Sequence, residues 1–136
     1  MAEATTPTQL QDPLETRRHE GIARVEGLID QITDWAHAEN WAVERLQKAI
    51  TEKPLGTYAL PELIVRPTEG ELIVNPIGLN LFGGKGRVDL EAIPTLSRVK
   101  LIGEPGGWQI WTDSNVPLRV EWNRDNFVRL VKDLLS

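Results

Sequence analysis

The chain has 136 residues, 15 basic and 20 acidic side chains, a net charge of −5, and no cysteine. The missing thiols exclude disulfides, thiolate metal sites and cysteine catalysis, and agree with a reducing, cytoplasmic compartment. The acid excess argues against a sequence-independent nucleic-acid binder, which needs a basic surface to displace counterions. No apolar run approaches the roughly 20 residues of a membrane span.

Met1 to Asp12 is polar and proline-spaced, lacks the basic and apolar regions of a signal peptide, and reads as a disordered or loosely held tail. Residues 13–136 then read as a single domain, the natural expectation at this length. Asp12-Pro13 predicts a helix start, with Asp as N-cap and Pro in the first helical position. Ile22, Val25, Ile29, Ile32 and Ala36 follow at spacings of three and four, one face of an amphipathic helix that Leu28 and Trp35 widen. Gly21 and Gly27 each weaken that helix by about 1 kcal/mol relative to alanine, a cost that close backbone packing would justify. The stripe can be continued through Val43, Leu46 and Ile50. Asn40 suits a left-handed terminator, however, and the reading preferred here stops the helix near Asn40 and extends the chain from Trp41 to about Lys48.

From Pro54 the pattern changes. Leu63-Ile64-Val65-Arg66, the turn Pro67-Thr68-Glu69-Gly70 and Glu71-Leu72-Ile73-Val74 predict a hairpin over 62–75. Gly83-Gly84-Lys85-Gly86 lacks the ending of a phosphate loop and precedes a strand, so it reads as a glycine-rich turn. Arg87 to Ala92 and Ser97 to Leu101 alternate strictly. Glu104-Pro105-Gly106-Gly107 predicts a type II turn into Trp108-Gln109-Ile110-Trp111. Val120 to Trp122 suggests a last edge strand, and Asn123 caps a final helix with Phe127, Leu130, Val131 and Leu134 on its apolar face. The expected fold is α+β: an N-terminal amphipathic helix, a mostly antiparallel sheet of about five strands, and a short C-terminal helix, both helices on one sheet face.

Strand alternation then divides the sheet residues. Leu63, Val65, Leu72, Val74, Val88, Leu90, Val99, Leu101, Trp108 and Ile110 should meet the helices. Ile64, Arg66, Ile73, Asn75, Asp89, Glu91, Arg98, Lys100, Gln109 and Trp111 should lie on the far face. That face mixes charge with large apolar groups. Most such faces are merely solvated. The functional expectation is a non-catalytic, accessory or immunity-like interaction domain. It would bind a protein partner through Ile64, Arg66, Ile73, Arg98, Lys100 and Trp111, with no resident cofactor. A homodimer through an open sheet edge or helix stripe is compatible with it.

Asp89, Glu91 and Lys100 support a rival expectation. Two carboxylates can hold magnesium, and a lysine can orient an attacking water. The arrangement resembles the PD-(D/E)XK nuclease core, which implies a metal-dependent nuclease or phosphodiesterase with Asp89 and Glu91 as ligands and Lys100 as the water-orienting group. Arg98 stands two residues before Lys100, where that pattern has an acid. His19 and His37 have no zinc spacing. Asp30, Asp34 and His37 share one helix face, which by itself is an incomplete ligand set.

Overall fold

A computed structural model describes residues 13–81 and 85–136. The expectations for the tail, the Asp12 cap and Gly83-Gly84 lie outside the described residues. The element order is α1 (Pro13–Ala38), β1 (Ala42–Glu52), β2 (Gly56–Arg66), β3 (Glu71–Leu81), β4 (Lys85–Ile93), β5 (Arg98–Glu104), β6 (Gly107–Thr112) and α2 (Arg124–Leu135). The strands form one antiparallel meander, β1-β2-β3-β4-β5-β6. The fold is therefore α+β with six strands rather than about five. No described helix is long and apolar enough to cross a membrane.

Helix α1 buries Val25, Leu28, Ile29, Ile32 and Ala36, the predicted stripe. It stops where its carbonyls find other partners. Asn40 takes a φ of 62°, its N–H donates to His37 O at 3.0 Å, and the Trp41 N–H donates to Ala36 O at 2.9 Å. These two bonds define a Schellman cap, and asparagine tolerates its left-handed position. Gly21 lies under β3: a Cβ there would sit 3.1 Å from both Leu79 methyls, whereas one at Gly27 would meet nothing within 4 Å. Close packing thus justifies only one of the two glycines.

The main departure from expectation is the hairpin β1–β2, eleven residue pairs in unbroken register from Ala42↔Arg66 to Glu52↔Gly56. Only its lower half joins the sheet, because β2 pairs with β3 through Leu63, Ile64 and Val65 alone. Pro61, which has no N–H to donate to a ladder, marks the divergence. The buried residues of β2 run Tyr58, Leu60, Pro61, Leu63, Val65, so the burial phase slips there. The outer half of the hairpin reaches the end of β3 through side chains. Glu52 accepts from the backbone N–H of Leu79 at 2.8 Å and of Asn80 at 3.2 Å, and from the Tyr58 hydroxyl.

Val120 to Trp122 is not a strand. Only Pro117 forms an isolated bridge, to Trp111. Trp122 instead staples α2 from just before its cap. The Asn123 side chain accepts from Asn126 N at 2.9 Å, and Trp122 meets Phe127 edge-on at 5.6 Å. That is the pairing of the residue before the cap with the fourth helical residue. Trp35 packs on Trp122 at 5.2 Å and on Phe127 at 5.6 Å, and Trp41 on Phe127 at 6.4 Å. An aromatic cluster thus joins α1, the first residue after its cap, and α2 above the sheet. All ten residues assigned to the helix-facing set are buried in the core.

Candidate interaction surface

The strand registers order the uncovered face into rows, since directly paired residues share a face. One row reads Asn75, Asp89, Lys100, Trp111 across β3 to β6. The next reads Glu44, Ile64, Ile73, Glu91, Arg98 across β1 to β5. Asp89, Glu91, Lys100 and Trp111 therefore do lie on the side away from the helices.

They do not form one accessible constellation. Asp89 is 1% exposed and Lys100 5%, the only buried charged side chains among the described residues. Arg87 closes on both oxygens of Asp89, at 2.7 and 2.9 Å, and Arg98 approaches at 3.9 Å. The bidentate bond to Asp89 raises the Arg87 pKa further above its ordinary value. Lys100 lies directly opposite Asp89, but its ammonium donates to Asn115 of the loop after β6. The Trp111 indole N–H donates to Gln109 at 2.8 Å, and Trp111 bridges Pro117 of the same loop. This half of the face is covered by its own guanidinium groups and by the 112–118 loop. Among the described residues no buried side-chain nitrogen or oxygen lacks a partner, and no group of three or more His, Cys, Asp or Glu side chains could hold a metal ion. A cation at Asp89 would have to displace a bidentate arginine, and Glu91, 3.9 Å from Arg98, brings no third acid with it.

The other half is more open. Ile64 and Ile73 are directly opposed and half-buried. Leu46, paired with Glu62, lies diagonal to Ile64, and Ile93, paired with Glu71, lies diagonal to Ile73. Diagonal neighbours on one sheet face are about 7–8 Å apart, within contact range of long side chains. Leu46, Ile64, Ile73 and Ile93 thus make an aliphatic stripe across β1 to β4, its two ends 38% and 41% exposed. Beyond Ile93 the β4–β5 turn carries Leu96, 81% exposed and at a φ of 66°. A leucine rarely adopts that left-handed conformation. Leu96, Ile93 and Ala92 line a recess of about 260 Å³ together with Glu91, Arg98 and Asp113. Ion pairs flank the stripe. Arg66 holds Glu44 and Glu71, each at 2.9 Å, and Arg98 holds Asp113 at 2.9 Å. Glu44 and then Glu71 raise the Arg66 pKa by hydrogen bonding. Trp111 is roughly 14 Å from Ile73, three strand spacings away, and does not join the stripe.

Of the residues expected on a docking face, Ile64, Arg66, Ile73 and Arg98 come together, while Lys100 and Trp111 belong to the covered half. Leu46, Ile93 and Leu96 escaped the sequence reading. Leu46 lies in a segment whose alternation is obscured by helix-compatible spacing, and Ile93 and Leu96 fall between the strand predicted to end at Ala92 and the next, beginning at Ser97. A separate cavity under α1, lined by Arg17, Glu20, Arg24, Leu79 and Trp108 among others, holds about 180 Å³, below the roughly 300–1,000 Å³ of small-molecule sites. No protein-family model, curated protein or solved structure matches the chain.

Proposed function

We propose that the protein is a non-catalytic interaction domain that docks a protein partner on the β1–β4 half of its uncovered sheet face. The observation that carries this reading is the aliphatic stripe from Leu46 to Ile93, ending beside a strained, exposed Leu96. The left-handed residue closes the β4–β5 turn, its N–H donating to Ala92 O at 2.9 Å, but the turn does not need an exposed leucine there, which costs roughly 1–2 kcal/mol. Strain of this kind concentrates where a side chain is presented to a ligand. Ile64 and Ile73 form the centre of the stripe, and Arg66 and Arg98 with their acidic partners form a polar rim, the anatomy of a protein interface. Asp89, Arg87, Lys100 and Trp111 form the neighbouring half, closed by their own hydrogen bonds and by the 112–118 loop.

Affinity capture from native lysate with matched variants tests this. Ile93→Asp and Leu96→Asp place charge on side chains that the core does not need, and each is expected to weaken retention of the partner at least tenfold, the loss of an apolar anchor of about 1.4 kcal/mol or more. Arg45→Ala, which removes the exposed pair to Asp30 on the helix side, should leave retention unchanged. If all three variants retain the same proteins as the parent, the docking assignment fails.

A further inference from the structure

The two edges of the sheet are treated differently. The outer edge of β6 is covered by the chain itself: Leu118 N donates to Ile110 O, Thr112 N to Val116 O, each at 2.8 Å, and Pro117 bridges Trp111. The outer edge of β1 pairs with no strand among the described residues. Natural edges are usually short, bulged or interrupted by proline. β1 has eleven residues, no proline and no register shift, and is exposed along most of its length.

We propose that β1 is a homodimerisation edge, pairing antiparallel with β1 of a second copy about a two-fold axis at Leu46. The sequence Glu44-Arg45-Leu46-Gln47-Lys48 selects this register. With Leu46 opposite Leu46, Glu44 of each copy lies directly opposite Lys48 of the other; any other register separates them. In the single copy both charges turn inward, Glu44 to Arg66 and Lys48 to Asn75 Oδ1 and Pro76 O of β3. The pair therefore forms when Lys48 releases those bonds and swings to the edge, while Glu44 keeps a free oxygen to accept from it. The exposed Leu46 side chains meet on the axis, where an unpaired apolar group on an edge would otherwise be a liability. Ala42 to Ile50 of each copy would contribute ladder hydrogen bonds. The axis also runs through the end of the aliphatic stripe. A diagonal that ends on a two-fold axis normal to the sheet continues straight into its own copy. The dimer therefore carries one unbroken apolar line from Ile93 to Ile93. The dimer does not depend on the partner-docking reading, and its tests need no partner.

Sedimentation equilibrium of the full chain at roughly 100 μM, where a dimer of micromolar Kd is almost fully assembled, should give twice the monomer mass; a monomer there overturns the proposal. Lys48→Glu or Glu44→Lys alone sets like charges opposite each other and should weaken the dimer at least tenfold. The double swap should recover most of that loss, with circular dichroism confirming that each variant is folded. Equal weakening in the double swap overturns the register. The chain has no cysteine, so Leu46→Cys reports the axis directly. Opposed residues have Cα atoms about 4.5–5.5 Å apart, inside the disulfide range. Oxidation should cross-link Leu46→Cys far faster than the equally cysteine-free background carrying Leu96→Cys, an exposed control away from the edge. Equal rates for the two overturn the proposal even if the charge variants fail to fold.

Discussion

Asp89 owes its burial to Arg87, and the pair sets what can be changed on the uncovered face. The carboxylate has almost no water contact, while the guanidinium is about one-fifth exposed. Removing the arginine leaves a buried charge without its bidentate partner, so Arg87→Ala should cost about 3 kcal/mol in urea unfolding, within the range for breaking buried pairs. Asp89→Asn keeps an acceptor for the guanidinium and should cost less than half as much. Equal costs would mean that Arg98 already satisfies Asp89. Tyr58 offers a second test at this scale. Burial, and then the hydrogen bond its hydroxyl donates to the Glu52 carboxylate, hold its pKa well above the ordinary phenol value. The folded chain therefore keeps the phenol proton at a pH where the unfolded chain has released it. This contribution is fully present below about pH 10, the unfolded phenol value, and is lost as pH rises from there towards the folded pKa. Stability measured between pH 9 and pH 11.5 should fall more steeply in the parent than in Tyr58→Phe. The variant should be about 1 kcal/mol weaker at neutral pH for the missing hydrogen bond. Parallel pH curves would show that the phenol is solvated. Neither pair was legible in the sequence. Arg87 and Asp89 are two apart on one strand and read as ordinary solvent-side alternation, while Glu52 and Tyr58 meet only because an unrecognised hairpin turns back between them.

Elements were legible where burial imposed a period. The α1 stripe, the 62–75 hairpin, the strands from Arg87 to Trp111 and the Asn123 cap follow from alternation or helical spacing of residues that are in fact core. Asn40 stops α1 for the reason its residue type suggests. β1 is only half legible because an edge strand has little buried face to impose a pattern: Val43, Leu46 and Ile50 fit a helix as well as they fit a strand. The start of β2 is hidden because its burial phase slips at Pro61. Val120 to Trp122 misleads in the opposite way, since Trp122 serves the staple on α2 and not a ladder, while Val120 stays exposed. The two glycines of α1, alike in sequence, separate at this scale. Gly27→Ala adds a methyl to open space in a helix interior and should raise stability by about 0.5–1 kcal/mol. Gly21→Ala brings a Cβ against Leu79, which must shift by a few tenths of an ångström, and should gain nothing or lose stability. The comparison is internal, so thermal unfolding of the two variants side by side is sufficient. A similar gain from both would show that Leu79 repacks without cost.

At the scale of the whole molecule, the meander makes nearly every strand contact local, and the aromatic cluster is what ties the first helix to the last. Trp35 on α1 and Trp41 beside its cap reach Phe127 and Trp122 across most of the chain's length. Phe127 is fully buried at the centre. Phe127→Ala should therefore cost about 3–5 kcal/mol, the cavity range for a buried aromatic. For a chain of this size that is a fall in Tm of roughly 10–20 °C. The more informative outcome is the shape of the transition. If the cluster couples α2 to the sheet, the parent unfolds in one step, with tryptophan fluorescence and far-ultraviolet circular dichroism coincident. Phe127→Ala then lets α2 and its staple detach first, so the fluorescence midpoint falls below the dichroism midpoint. A parent whose two probes already separate would show that α2 is only lightly docked, with the Thr95 hydroxyl bond to Leu134 O at 2.5 Å and the contacts of Val131 and Leu134 insufficient to hold it. Coincident probes in the variant would place the coupling in those contacts instead. The uncovered face is a sensitive witness to the same event. The Thr95 bond ties the end of α2 to the β4–β5 turn that presents Leu96, so loss of α2 docking should weaken partner retention by the stripe, although Phe127 is on the opposite side of the sheet.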